Sequence, residues 1–158
     1  MFREMRRFKQ QLEKQECINI LQSEVRAVLS VLGDNDYPYG LPVNFWYNPD
    51  DNKIYFHGAK EGHKIDSIKK HDKVSLCVYD KGYKKEGEWS LNIKSVIVFG
   101  RIKIVKDMQK TIDICKNLAR RFPADTQYIE DEINKFKDRV LCLELTIEHM
   151  SGKLVNES

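Results

Sequence analysis

Four cysteines are all the sequence has, and no two of them form a Cys-x-x-Cys pair. Cys17, Cys77, Cys115 and Cys142 lie far apart along the chain, so neither a zinc site nor a redox dithiol is expected, and they read as isolated cytosolic thiols. A charge excess is missing too. The 27 lysines and arginines against 24 aspartates and glutamates leave a net charge of +3, scattered where a nucleic-acid binder would show a clustered basic face. No apolar run approaches the ~18 residues of a membrane span, and residues 1–9 are charged where a signal peptide needs an apolar core, so a cytoplasmic protein is expected. There is no internal repeat, no low-complexity tract and no Ser-His-Asp arrangement. Asp50-Asp51 and Glu130-Asp131-Glu132 read as a turn and a solvated helix face. His57, His63, His71 and His149 lack the spacing of metal ligands on one face, so no metal site is expected.

What is present suffices for one core. A domain of about 150 residues buries roughly 68–70% of its unfolded surface. With 41% hydrophobic and 32% charged residues, the chain suits a single domain over 1–158. Residues 10–22 place Leu12, Cys17, Ile18 and Leu21 on one stripe, as an amphipathic packing helix requires. Residues 25–32 and 41–47 read as strands separated by Gly33-Asp34-Asn35-Asp36. Pro42, which has no amide to donate, predicts an edge or a bulge in the second of them. The turn Asn48-Pro49-Asp50-Asp51-Asn52 leads to a third strand at 53–59, making the first half a meander of antiparallel hairpins.

A short helix at 62–71, with Ile65 and Ile68 facing inward, precedes strands at 73–80, 95–105 and 140–148. Gly100 predicts a bulge or bend in the longest of these. Helices at 107–122, capped by Asp107, and at 126–137 complete the chain, and the charged segment 81–88 reads as a surface loop. Six mostly antiparallel strands with packing helices predict an α+β domain built on a small barrel.

The chain is organised around Tyr55-Phe56-His57-Gly58-Ala59-Lys60-Glu61-Gly62-His63-Lys64, where an apolar strand meets two glycines and then a helix. Glycines permit tight turns and close backbone approach, a helix start offers unsatisfied amides, and Lys64 adds a positive charge in the first turn. That is the layout of a phosphate site, and equally of an ordinary strand-to-helix connection.

Three segments occur together and in order: Gly40-Leu41-Pro42-Val43-Asn44-Phe45, then Phe56-His57-Gly58-Ala59 with Gly62-His63-Lys64, then Ser95-Val96-Ile97-Val98-Phe99-Gly100. In this the chain resembles, over roughly residues 5–155, the nitroimidazole-resistance branch of the pyridoxamine 5′-phosphate oxidase-like flavoproteins. The resemblance implies a six-stranded antiparallel split barrel that binds flavin mononucleotide (FMN) at the interface of a homodimer. It implies that His63 and Lys64 meet the phosphate, and that Pro42, Val43, Asn44, Phe56, His57, Gly58, Ala59, Ser95, Val96 and Ile97 approach the ring. Where many relatives carry an aromatic and an arginine before Ser95, this chain has Ile93 and Lys94, and lysine lacks arginine's bidentate fork.

His57, whose ordinary pKa lies near 6.5, is the candidate proton donor, with a structural role as the alternative. The implied activity is reduction of small electron-poor acceptors such as nitroimidazoles or nitroaromatics, with a reduced nicotinamide nucleotide or another donor supplying electrons. Alternatives are a flavin- or haem-binding store or sensor without turnover, and an oxidase like pyridoxamine-phosphate oxidase itself.

Overall fold

In a computed structural model, residues 1–157 are described and form one seven-stranded antiparallel sheet with four α-helices packed on it. In chain order these are α1 (Lys14–Ser23), β1 (Arg26–Leu32), β2 (Pro38–Asn44), β3 (Trp46–Asn48), β4 (Lys53–Ala59), α2 (His63–Lys70), β5 (Lys73–Tyr79), β6 (Leu91–Ile104), α3 (Met108–Ala119), α4 (Thr126–Phe136) and β7 (Val140–Glu157). No helix of the described residues is long and apolar enough to cross a membrane.

The strand order β2-β1-β5-β6-β7-β4-β3 puts β2 and β3 at opposite edges, yet only Phe45 separates them in sequence. In a flat sheet six strand spacings of about 4.8 Å would hold those edges roughly 29 Å apart, whereas one linking residue spans at most about 7 Å. The sheet therefore has to curl until its edges meet, and that seam makes the split barrel. Phe45 is fully buried at the crossing, its amide donates to the Val25 carbonyl at 3.2 Å, and the Arg121 guanidinium lies 5.0 Å above its ring.

Two sequence expectations are corrected here. The strand expected over 41–47 is two strands, so the count is seven, and the first half is no continuous meander: β1 and β2 form one hairpin, β3 and β4 another, at opposite edges. The cause is tertiary closure, which nothing in the local pattern around Phe45 signals. Other expectations hold. Pro42 sits on an edge strand, and the β6–β7 register shifts between Phe99 and Gly100. A side chain at Gly100 would collide with the Thr146 carbonyl. Asp107 caps α3 by accepting from the Lys110 amide at 2.7 Å. β7 outruns its expected end because residues past His149 pair with the first half of β6, which itself starts at Leu91.

Alternation divides the side chains. Leu29, Phe56, Leu76, Val96, Val98, Leu143 and Leu145 fill the barrel. Tyr55 and Cys142 point outward beneath α3, against Val105, Ile114 and Leu118.

Candidate functional site

Gly62 adopts φ 129°, a backbone region that favours glycine, and it starts α2 without a side-chain cap. The Asp66 amide closes the first helical bond to the Gly62 carbonyl at 3.0 Å, so the amides of the turn before it have no partner within the helix. Lys64 extends from this turn toward β4, where a side chain at Gly58 would lie 3.1 Å from its Nζ. Burial pushes the Lys64 pKa down, and among the described residues no carboxylate answers its charge. A half-buried ammonium beside a bare backbone and an uncapped helix start is a place for an anion.

His63 is committed elsewhere. Its Nε2 accepts from the Asp34 amide at 3.2 Å and its ring stacks on Tyr39 with centroids 4.3 Å apart, which ties α2 across the seam to the β1–β2 hairpin. Lys94 is also engaged, with Nζ 3.2 Å from the Glu16 carboxylate, so it does not offer a second free cation.

His57 faces out of the barrel. It is exposed, and lines a cavity of about 380 Å³ with Leu118, Phe122, Tyr128, Ile133 and Phe136 from α3, α4 and the turn between them, where Glu132 and Lys137 also stand. Desolvation pushes its pKa below the ordinary histidine value, and the Lys64 charge adds to the shift.

The sequence placed the β2 and β4 segments on neighbouring strands; they instead face each other across the seam, where no ladder hydrogen bonds join them. Pro42 and Ala59 are exposed, and Val43, Asn44 and Gly58 half-buried. Phe56 and Val96 are wholly buried, so their side chains pack the barrel and present no surface to a ligand. The third segment stands apart from Lys64. Ile97 shares a row with Pro42 through Val28 and Cys77, on the sheet's outer face. It pairs with Ser151 on β7, nine residues, or about 30 Å of strand, beyond the Cys142 that pairs with His57.

Sequence reasoning missed two features. Cys115 and Cys142, isolated in the sequence, stand with Sγ atoms 3.7 Å apart, because α3 packs on β7. Glu144 is 1% exposed, and Lys53, Lys103 and Lys110 close on it at 2.8, 3.2 and 2.5 Å. A lone carboxylate inside the apolar run 140–147 was the available signal.

Among solved structures, a provisionally assigned 5-nitroimidazole antibiotic resistance protein from Bacteroides thetaiotaomicron is similar over 93% of this chain and 87% of its own, at 19% identity and a TM-score of 0.76. A FAD-binding protein from Mesorhizobium loti is similar over 92% and 96%, at 21% identity and 0.65. The flavocytochrome Anf3 from Azotobacter vinelandii is similar over 96% and 72%, at 19% and 0.71. At these identities the likeness establishes the split-barrel fold alone. Curated proteins give no significant match to the sequence. Residues 13–154 match the profile described as pyridoxamine 5′-phosphate oxidase, and the chain belongs to that family.

Proposed function

We propose that this protein is an FMN-dependent reductase of small, flat, electron-poor acceptors, the nitroimidazole and nitroaromatic class. The observation that carries the reading is the Lys64 ammonium, half-buried and, among the described residues, without a counter-ion beside Gly58 and the uncapped start of α2. A phosphate monoester supplies the missing charge and accepts from the helix amides. Family membership and structural relatives named for FAD binding or nitroimidazole resistance support a flavin as its bearer.

The residues fit such a group. Gly58 leaves room beside Lys64, and β2, as an edge strand, keeps one side of its backbone free for the polar rim of a ring at Val43 and Asn44. When bound, the flavin supplies the electron transfer. His57 holds a proton at the imidazole in an apolar cavity large enough for a small aromatic acceptor, and gives it to the acceptor as charge develops.

The site is completed in a homodimer. Ile97 pairs nine residues along β7 from the Cys142 that pairs with His57, which favours a second copy as the source of the segment Ser95, Val96 and Ile97 at the cofactor. The outer sheet face around Ile97 carries exposed Leu32, Tyr79 and Phe99, an apolar surface suited to such contact.

The first test is the visible spectrum of the purified protein, which should carry the flavin bands. A reduced nicotinamide nucleotide should bleach them and a nitro compound restore them. A colourless protein that takes up no FMN on titration overturns the reading, and flavin that is never reoxidised by nitro compounds reduces it to a binding module.

A further inference from the structure

Outside the Lys64 corner, the strongest departure from ordinary surface chemistry is the crowding of lysines around Glu144. Both carboxylate oxygens are occupied: Oε1 accepts from Lys53 and lies 3.2 Å from Lys103, while Oε2 accepts from Lys110 and, at 3.4 Å, from the Tyr55 hydroxyl. One buried carboxylate is balanced by one cation; here three converge on it. Each ammonium has three N–H donors, and beyond Glu144 none of the three has a further hydrogen-bond partner among the described residues. Lys103 and Lys110 line a cavity of about 550 Å³ with Glu144 at its floor, and Lys69 and Lys106 stand on the same wall. The opposing charges are few. Asp107 is on the rim with one oxygen taken by the Lys110 amide, and Asp51 is bonded to the Tyr55 hydroxyl. Four lysines, Lys69, Lys103, Lys106 and Lys110, against two carboxylates, Asp107 and Glu144, leave the cavity lining positive, with unused donors directed by a carboxylate that cannot accept more.

We propose that this cavity is a second anion site, which takes a phosphate ester of at least two negative charges, separate from the Lys64 corner. A monoanion would leave positive charge uncompensated. A phosphate offers several acceptor oxygens to Lys103 and Lys110 at once, which matches the donors left over. Ile104, only partly buried, lines the same cavity and offers apolar surface to the organic part of the ester, while Ile68 and Ile102 behind it belong to the core. Glu144 acts here as a positioning residue, holding the three ammoniums close together against their repulsion.

Inorganic pyrophosphate is the probe, titrated into flavin-loaded protein by calorimetry and by amide shifts, so that the Lys64 corner is already filled. One saturable equivalent is expected, with shifts at Lys103, Lys106 and Lys110 and with binding that weakens as salt rises. Lys103 is 68% exposed, so replacing it does not endanger the fold. Lys103→Ala should weaken pyrophosphate about tenfold, and Lys103→Glu should abolish saturation, with thermal stability close to the parent. Lys64→Ala, titrated without flavin, should bind pyrophosphate at the cluster as the parent does. Absence of saturation, equal affinity in parent and Lys103→Glu, or shifts confined to His63 and Lys64 each overturn the site. Succinate binding as tightly as pyrophosphate overturns the phosphate class.

Discussion

Lys64 and Glu144 are both removed from bulk water to some degree, yet three lysines meet Glu144 while among the described residues no carboxylate meets Lys64. Burial would raise the Glu144 pKa, but hydrogen bonds from Lys110, Lys53 and Lys103 outweigh it and hold the group at about 2. Burial of Lys64 goes uncorrected, and its pKa falls. A group paired from within contributes to folding, whereas a group left unpaired costs stability until something from outside pairs it. The contrast separates a charge balanced within the fold from a charge that the fold leaves unbalanced.

The largest effect expected at the unpaired end is on turnover. His57→Ala should keep the flavin and slow reduction of a nitro acceptor about 10²–10⁴-fold, the usual contribution of a positioned proton donor. Stopped-flow reoxidation measures it, and a rate within about twofold of the parent makes His57 structural.

Next comes the paired end. Glu144→Gln removes the negative charge and leaves three ammoniums facing a neutral amide, which should cost about 3 kcal/mol. For a chain of this size, that lowers Tm by roughly 6–12 °C. The pH dependence has a definite sign. The Glu144 pKa is depressed in the fold, so its contribution is fully present above the ordinary carboxylate value of 4.5 and is lost as pH falls toward about 2. Acid unfolding monitored by circular dichroism should lose that component in Glu144→Gln. An unchanged acid profile would mean that the lysines are solvated and the pairing is weak.

Lys64→Ala should act in the opposite sense on the two quantities. FMN affinity should fall roughly 10- to 100-fold, the value of about 1.5–3 kcal/mol for a hydrogen bond to a charged group. Stability of the flavin-free protein should stay level or rise by less than about 1 kcal/mol, because an unpaired charge has been removed. Riboflavin, which has no phosphate, should bind parent and variant equally. Loss of stability together with loss of riboflavin binding would make Lys64 a fold residue and erase the contrast with Glu144.

The smallest effect is the most local. Lys64 contributes to the depression of the His57 pKa, so neutralising it with a bound phosphate should raise that pKa back toward the ordinary value, and Lys64→Ala should do the same without ligand. Imidazole resonances followed against pH give both numbers.

Much of the site was readable because it depends on local geometry. Gly62 before His63 and Lys64, at the end of an apolar strand, signals an uncapped helix start with a cation in its first turn, and the structure has all three. The cover over His57 was not readable, because Phe122, Tyr128 and Phe136 come from α4 and the turn before it, more than sixty residues away, and read as ordinary packing residues. The Cys115–Cys142 pair and the lysines around Glu144 escaped for the same reason: spacing along a chain says nothing about strands that pair at long range.

The sequence by itself determined the strands through alternation, the helix starts through Asp107 and Gly62, the bulge at Gly100, and the edge position of the strand holding Pro42, since each rests on a property of a few adjacent residues. Only the tertiary structure decided that β2 and β3 lie at opposite edges with Phe45 between them, because that follows from closing the sheet on itself. The same closure leaves Lys64 without a carboxylate partner among the described residues and gives Glu144 three lysines, since partners here are chosen by strand order and helix docking, which act across the whole chain.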